Sequence, residues 1–260
     1  MLSKESLQSA LVTSLFGKRL FFFESLDSTN TCARTLAEAG MDEGAVVVTE
    51  FQTSGRGRHG RTWTADAKEN LLFSVLLRPP LPKTSAGFLT FFAAVSVARA
   101  LEEVSGQPME CKWPNDLLLN GRKVCGILLE NSFNQELVEY SVIGIGINVN
   151  QTAFPGQLAP YATSLALELS TSVDRVELFS KIMASMESAY REARDGNFQN
   201  LLSQWNARCK MFGRTVTVVQ DNRRITGRAI GLNHDGGLLV ETETGTIPVY
   251  AGDIALHQNG

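Results

Sequence analysis

Apolar residues first recur at helical spacing, where Leu7, Leu11 and Leu15 predict an amphipathic helix over residues 3–16. RLFFFES follows as a strand. In DSTNTCARTLAEAG, Asp27 or Ser28 can cap a helix that Gly40 ends. GAVVVTEF is a continuous apolar run of strand type, and NLLFSVLLRPP is another, stopped by its prolines. Residues 88–104, FLTFFAAVSVARALEEV, are apolar on nearly every face and predict a long buried helix with Gly106 just beyond it.

A hairpin is predicted where DLLL and KVCGILLE flank Asn120-Gly121, a dipeptide suited to a type I′ turn. ELVEYSVIGIGINVN reads as a long strand. The stretch 151–161, with Pro155, Gly156 and Pro160, reads as a loop, and 174–207 as helix with a break at Gly196. Beyond Gly213 the runs TVTVV, RITGRAIGL, GLLVET and TIPVY alternate with the turn signals QDN, NHDGG and ETG. That is the pattern of a small β-barrel. The predicted organisation is an α+β main domain with a helical connector over residues 1–212, then a small barrel over 213–260.

Composition narrows the function classes. The 260 residues carry 24 Lys and Arg against 27 Asp and Glu, a net charge of −3, which argues against an extended nucleic-acid surface. Cys32, Cys111, Cys125 and Cys209 lack C-x-x-C spacing and the three histidines are isolated, so no zinc site assembles from local motifs and reduced thiols are expected. Lys18 and Arg19 interrupt the apolar N-terminal stretch, unlike a signal peptide, and no run suggests a membrane span. A soluble cytoplasmic protein without a membrane partner is expected.

One segment stands against the acidic whole: GRGRHGRTW, Gly55 to Trp63, holds three arginines, a histidine and three glycines in nine residues. Basic charge on a flexible loop attracts an anion, with a solvated surface loop as the alternative. No P-loop sequence occurs, and GIGINV is followed by Gln151 and Pro155 where a Rossmann fingerprint requires a helix. Gly144 and Gly146 then mark either a bulged strand or one stripped of side chains for a flat ligand. In KWPNDLLLNGRKVCGILLE, Lys112 has the option of solvent. Lys123, beside Val124, Cys125 and Ile127, needs an anionic partner.

Taken in order, DSTN, FQTSGRGRHGRTW, KWPNDLLLNGRKVCGILLE and GIGINVN, with a small C-terminal barrel behind them, resemble the biotin protein ligases (biotin–acetyl-CoA-carboxylase ligases). The resemblance runs from about Phe21 to the end. It implies a mixed-sheet catalytic domain of the class II aminoacyl-tRNA synthetase and biotin ligase type, followed by a small SH3-like β-barrel. It also implies ATP-dependent activation of biotin to biotinyl-5′-AMP with Mg²⁺, and transfer to a lysine of a biotin carboxyl carrier protein domain of acetyl-CoA carboxylase or a related carboxylase. Some family members add an N-terminal helix-turn-helix domain. Only about twenty residues precede the first core strand here, so no DNA-binding role is expected. A homodimer is compatible with the family, and the sequence itself leaves assembly open.

By the same resemblance Lys123 bridges the biotin carboxylate and the α-phosphate. Arg58, Asp116 and Lys112 stand with it as catalytic candidates, and for Asp116 three roles are open: orienting Lys123, binding Mg²⁺, or helping to deprotonate the incoming lysine. Ser28, Thr29, Asn30, Gln52, Arg56, Gly57, Gly144 and Gly146 would meet biotin together with Arg58 and Lys123. Arg56, Arg58, Arg61, Trp63, Asn115, Lys123 and Asn148 would meet ATP or the adenylate, with Trp63 offering a face to adenine. His59 is expected in solvent. Lipoate or octanoate ligation on the same fold is the nearest rival. A single-stranded nucleic-acid binder is the rival of another class, opposed by a barrel with Arg223 and Arg224 but no aromatic ladder.

Overall fold

The computed structural model describes residues 2–194, 198–220, 223–233 and 235–256. The predicted break at Gly196, and parts of the QDN and NHDGG turns, lie outside them.

A seven-stranded mixed sheet organises the larger part. Its strands are β1 (Leu20–Phe23), β2 (Val46–Thr49), β3 (Leu71–Leu77), β4 (Glu110–Lys112), β5 (Asp116–Leu119), β6 (Arg122–Asn134) and β7 (Leu137–Ile147), in spatial order β1-β2-β3-β7-β6-β5-β4. β1 and β2 pair in parallel and every other pair is antiparallel. Alternation explains what each face does. Phe73, Val75, Ile143, Ile145 and Ile147 point into the main core. There they meet α3 (Phe88–Ser105), α5 (Arg175–Arg194) and α6 (Phe198–Arg208), and Phe73 packs edge-on against Phe179.

The opposite face is covered at one end only. Leu76, Val142 and Val47 pack under Ala33 and Ala37 of α2 (Thr29–Glu38). The rest of that face, floored by Gly144, Gly146, Gly126 and Leu128, lines a cavity.

The second sheet is five-stranded and antiparallel: β8 (Thr215–Gln220), β9 (Arg223–Leu232), β10 (Leu238–Thr242), β11 (Gly245–Val249) and β12 (Asp253–Leu256), in order β11-β10-β9-β8-β12. Four of its strands follow from alternation. β12 was not expected, and neither were the three-residue β4 and the short helix α4 (Leu165–Leu169), all too brief to show a period. The Trp113 indole nitrogen donates to Gly236 O at 3.3 Å and ties the two sheets' domains together.

The N-terminal helix is a correction. The leucine spacing predicts helix over 3–16, yet α1 spans only Lys4–Ala10 and Leu11 leaves it in an extended conformation. The backbone N–H groups of Ser14, Leu15 and Phe16 turn instead onto the Glu187 carboxylate at 2.8–3.2 Å. A charged acceptor that takes three amides outcompetes the weaker i−4 carbonyls of a marginal helix. One helical segment, Lys83–Ser105, is by length and composition alone apolar enough to span a bilayer, with a mean hydropathy of 1.4 in its 18-residue apolar window. In this fold most of it lies in the core, between the sheet and α5.

Candidate active site

The cavity over the open floor has a volume of about 460 Å³. Its walls are the N-terminus of α2, the 55–63 loop, the Lys112–Asp116 turn, the 154–162 segment, and Gly252 with Ile254 from the small sheet. All predicted site residues line it, and sequence reading missed several others.

At one end, polar groups converge. Thr29 N donates to Gln52 Oε1 at 2.8 Å, and Thr29 Oγ1 lies 3.1 Å from the same oxygen. Ser74 Oγ sits 2.7 Å from Thr29 Oγ1 and 2.6 Å from Asn30 Oδ1. Asn30 Nδ2 donates to Glu130 Oε2 at 2.6 Å. Ser28 is buried at the N-cap of α2 with no side-chain capping bond. The glycine at 144 exists for Asn30: a Cβ there would stand 2.1 Å from Asn30 Oδ1. Gly144 therefore supports a recognition side chain rather than forming bare floor.

At the other end a strand irregularity places the key cation. Pairing of β5 with β6 shifts between Leu117 and Leu118, so Val124 and Cys125 both turn into the core. Without that extra residue Lys123 would share the core face of Cys125 and Ile127. With it, Lys123 emerges beside Gly126 on the cavity face. Its Nζ lies 2.6 Å from Asp116 Oδ1, an ion pair whose angles fall outside those of a directed hydrogen bond. The anionic partner predicted for this lysine is Asp116.

The Trp63 indole covers the floor at this end. A Cβ on Gly146 would come within 2.5 Å of it and one on Gly126 within 2.7 Å. Lys123 Nζ stands 5.5 Å from the ring centroid. The buried Trp63 Nε1 has no hydrogen-bond partner among the described residues.

The basic loop is folded back on itself. Gly57 N donates to Arg61 O at 2.7 Å and Trp63 N to Gly55 O at 2.9 Å. At Gly55 a Cβ would meet Trp63 O at 2.4 Å, so only glycine lets the two arms cross. Arg58 is partly desolvated, which pushes its pKa down, while Asp116 pulls it back up. Arg56 reaches away from the reaction end, to Glu130 Oε2 at 3.1 Å. His59 is exposed, as expected, with φ +55°.

Two polar residues of the site serve structure with part of their capacity. Asn115 Nδ2 donates to Ile127 O at 2.6 Å. Asn148 Nδ2 donates to Thr163 O at 3.0 Å. Lys112, on the strand next to Asp116, is half-buried on the cavity wall. Burial pushes the Cys111 and Cys125 thiols up, and Cys209 up to about 11, so none of these is a thiolate nucleophile at neutral pH. Sequence reading missed Ser74, inside an apolar strand run, and Gly126, Leu128 and Glu130, inside KVCGILLE, where it fixed on Lys123 and left the facing of the later residues undrawn. The strand alternation through Gly144 and through KVCGILLE could have supplied them.

The cavity joins a polar cluster at one end to Lys123 and the arginine loop at the other, on a mixed sheet with a small antiparallel domain behind it. Residues 22–148 match the biotin/lipoate A/B protein ligase family, and residues 211–256 the biotin protein ligase C-terminal domain. The bifunctional ligase/repressor BirA of Bacillus subtilis is 35% identical over 98% of this chain and 79% of its own length. The biotin–[acetyl-CoA-carboxylase] ligase of Mycobacterium tuberculosis is 32% identical over 97% of this chain and 95% of its own. The biotin protein ligase of Aquifex aeolicus, solved with biotin and ATP, superposes with a TM-score of 0.80 at 31% identity, covering 93% of this chain and 100% of that one. The chain belongs to the biotin protein ligase family.

Proposed function

We propose that the chain joins biotin to ATP, forming biotinyl-5′-AMP, and then biotinylates a lysine of a biotin carboxyl carrier domain of acetyl-CoA carboxylase or a related carboxylase. Residues 1–212 form the catalytic unit and 213–260 the small barrel. Lys123 carries this reading, delivered by the bulge to the cavity face beside Gly126. A carboxylate oxygen attacking the α-phosphorus brings two anions together, and a cation fixed between them lowers that cost. The new O–P bond forms as the bond to pyrophosphate breaks. An uncharged carrier lysine then attacks the mixed anhydride's carbonyl carbon and AMP departs.

The other candidates take roles around that step. Ser28, Thr29, Asn30 and Gln52, of which Thr29 and Asn30 are held by Ser74, bind the acid's ring through hydrogen bonds, with Gly57 allowing close approach and Gly144 seating Asn30. Arg56, Arg58, Arg61 and Lys112 neutralise phosphate charge. Trp63 and Asn148 receive adenine, with Gly146 giving the indole its seat, and Asn115 holds the turn that presents Asp116. Among the described residues no group of three or more His, Cys, Asp and Glu could hold a metal. Asp116 is the carboxylate that would meet Mg²⁺ arriving on the polyphosphate, an ion that needs one or two protein carboxylates at most. Bound there, Mg²⁺ would neutralise further phosphate charge. A cytoplasmic enzyme, with a homodimer as its assembly and with no DNA or membrane partner, completes the reading; the net charge of −3 supports the exclusion of DNA.

Incubation with ATP, Mg²⁺ and labelled biotin, lipoate or octanoate, with and without a biotin carrier domain, tests it. Adenylate with biotin, and label on the carrier, are expected. Turnover of lipoate or octanoate in place of biotin would overturn it. Sedimentation velocity reads the assembly.

A further inference from the structure

Glu130 places a carboxylate at the edge of a pocket whose proposed ligands are anions. Such a group repels those ligands unless it holds something the site needs. Its Oε2 is shared by two donors from different elements: Asn30 Nδ2 at 2.6 Å from α2 and Arg56 Nη2 at 3.1 Å from the basic loop. Arg56 Nη2 also reaches Thr31 Oγ1 at 3.3 Å. Beyond Asn30 the chain of contacts continues through Ser74 to Thr29 and Gln52. Glu130 also lines a separate cavity of about 350 Å³ under the loop, together with Arg58 and Arg61. An ionised carboxylate can only accept, so Glu130 fixes the Asn30 amide with its nitrogen outward and its oxygen toward Ser74.

We propose that Glu130 is a positioning residue that couples the acid-recognition cluster to the basic loop, holding Arg56 in place until a substrate anion takes over that guanidinium. The Arg56–Glu130 pair is an ion pair waiting for exchange. Arg56 stays oriented near the cavity, and an incoming phosphate replaces Glu130 instead of water. Through the shared oxygen, a ligand that engages Asn30 also alters the hold on Arg56.

The kinetic part of this test rests on the ligase reading; the proteolytic part does not. Trypsin cleaves after Arg56, Arg58 and Arg61, which makes loop opening measurable in the unliganded protein. Glu130→Gln keeps an acceptor for Asn30 but loses the charge, and should speed cleavage after Arg58 and Arg61 about two- to fivefold, the range for a half-exposed ion pair. Arg56→Gln should give the same increase, and the double variant no further one. With substrates, Glu130→Gln should raise the KM for ATP and leave that for the acid unchanged, whereas Glu130→Ala should raise both. Wild-type cleavage rates in Glu130→Gln, or additive effects in the double variant, would overturn the coupling. A chain that cleaves as expected but activates no biotin would sink the ligase reading alone. Should Glu130→Ala fail to fold, the two glutamine variants still decide.

Discussion

Lys123 Nζ and Asp116 Oδ1 lie 2.6 Å apart, joined across one hairpin whose strands are out of simple register. The pairing holds the ammonium over Gly126, near the Trp63 ring, with its charge balanced until substrates arrive. An electrostatic catalyst needs such prior placement, because reorganisation during the reaction would spend its advantage.

Lys123→Ala should therefore nearly abolish biotin-dependent pyrophosphate exchange. Losing one preorganised group typically costs on the order of 10²–10³ in rate. The melting temperature should hold, since this side chain is on the cavity wall and outside the core. Exchange within about threefold of wild type would remove Lys123 from the mechanism.

Gly144→Ala tests whether the recognition cluster is as tightly built as its distances indicate. The added methyl would overlap Asn30 Oδ1, 2.1 Å away, and Asn30 is held by both Ser74 and Glu130. Displacing that amide should raise the KM for biotin at least about tenfold, the scale for a buried polar group left without its partner, with a smaller change for ATP. Equal effects on both substrates, read from steady-state kinetics, would show a general collapse of the floor instead.

How much of this was legible depends on the scale of the signal. The long apolar runs announced β3, β7 and α3, and Asn120-Gly121 announced its hairpin, with φ positive at both residues. The motifs named Lys123, Asn30 and the arginine loop. What sequence could not show was competition between local and distant partners. Glu187 takes the amides that would have extended α1. Asn30 fills the space over Gly144 that a bare strand seemed to reserve for ligand. Glu130 lies 100 residues from Asn30 in the chain, and its role follows only once α2, β6 and the loop meet.

Glu187 predicts a pH dependence. Although burial alone would raise it, the amides of Leu15, Ser14 and Phe16 and the Ser14 hydroxyl hold its pKa down at about 2, and Arg191 adds an ion pair. A depressed carboxylate contributes stability above its unfolded pKa and loses it as pH falls through the folded value. The loss should fall between about pH 4.5 and pH 2. Glu187→Gln should lower the melting temperature at pH 7 by about 4–8 °C, taking roughly 2 kcal/mol for the charge-assisted bonds. The variant and wild type should converge toward pH 2. Parallel melting curves down to that pH would remove Glu187 from the acid response.

Arg58 separates two jobs of the basic loop, attracting ATP and retaining the intermediate. A mixed anhydride reacts with water and with any nearby amine, so its fate depends on containment as well as formation. If Arg58 only attracted phosphate, Arg58→Gly would weaken ATP binding and slow both steps, leaving carrier specificity unchanged. Its surroundings point to containment. Burial pushes its pKa down, and it lines both the main cavity and a second cavity under the loop, whereas Lys123 is the cation proposed for the phosphate. The variant should still make adenylate but release it, so that exposed lysines of a bystander such as albumin become labelled. A biotin blot of albumin mixed with the variant, ATP and biotin reads the leak directly. Normal adenylate synthesis with no labelling above wild type would show that the latch lies elsewhere in the loop.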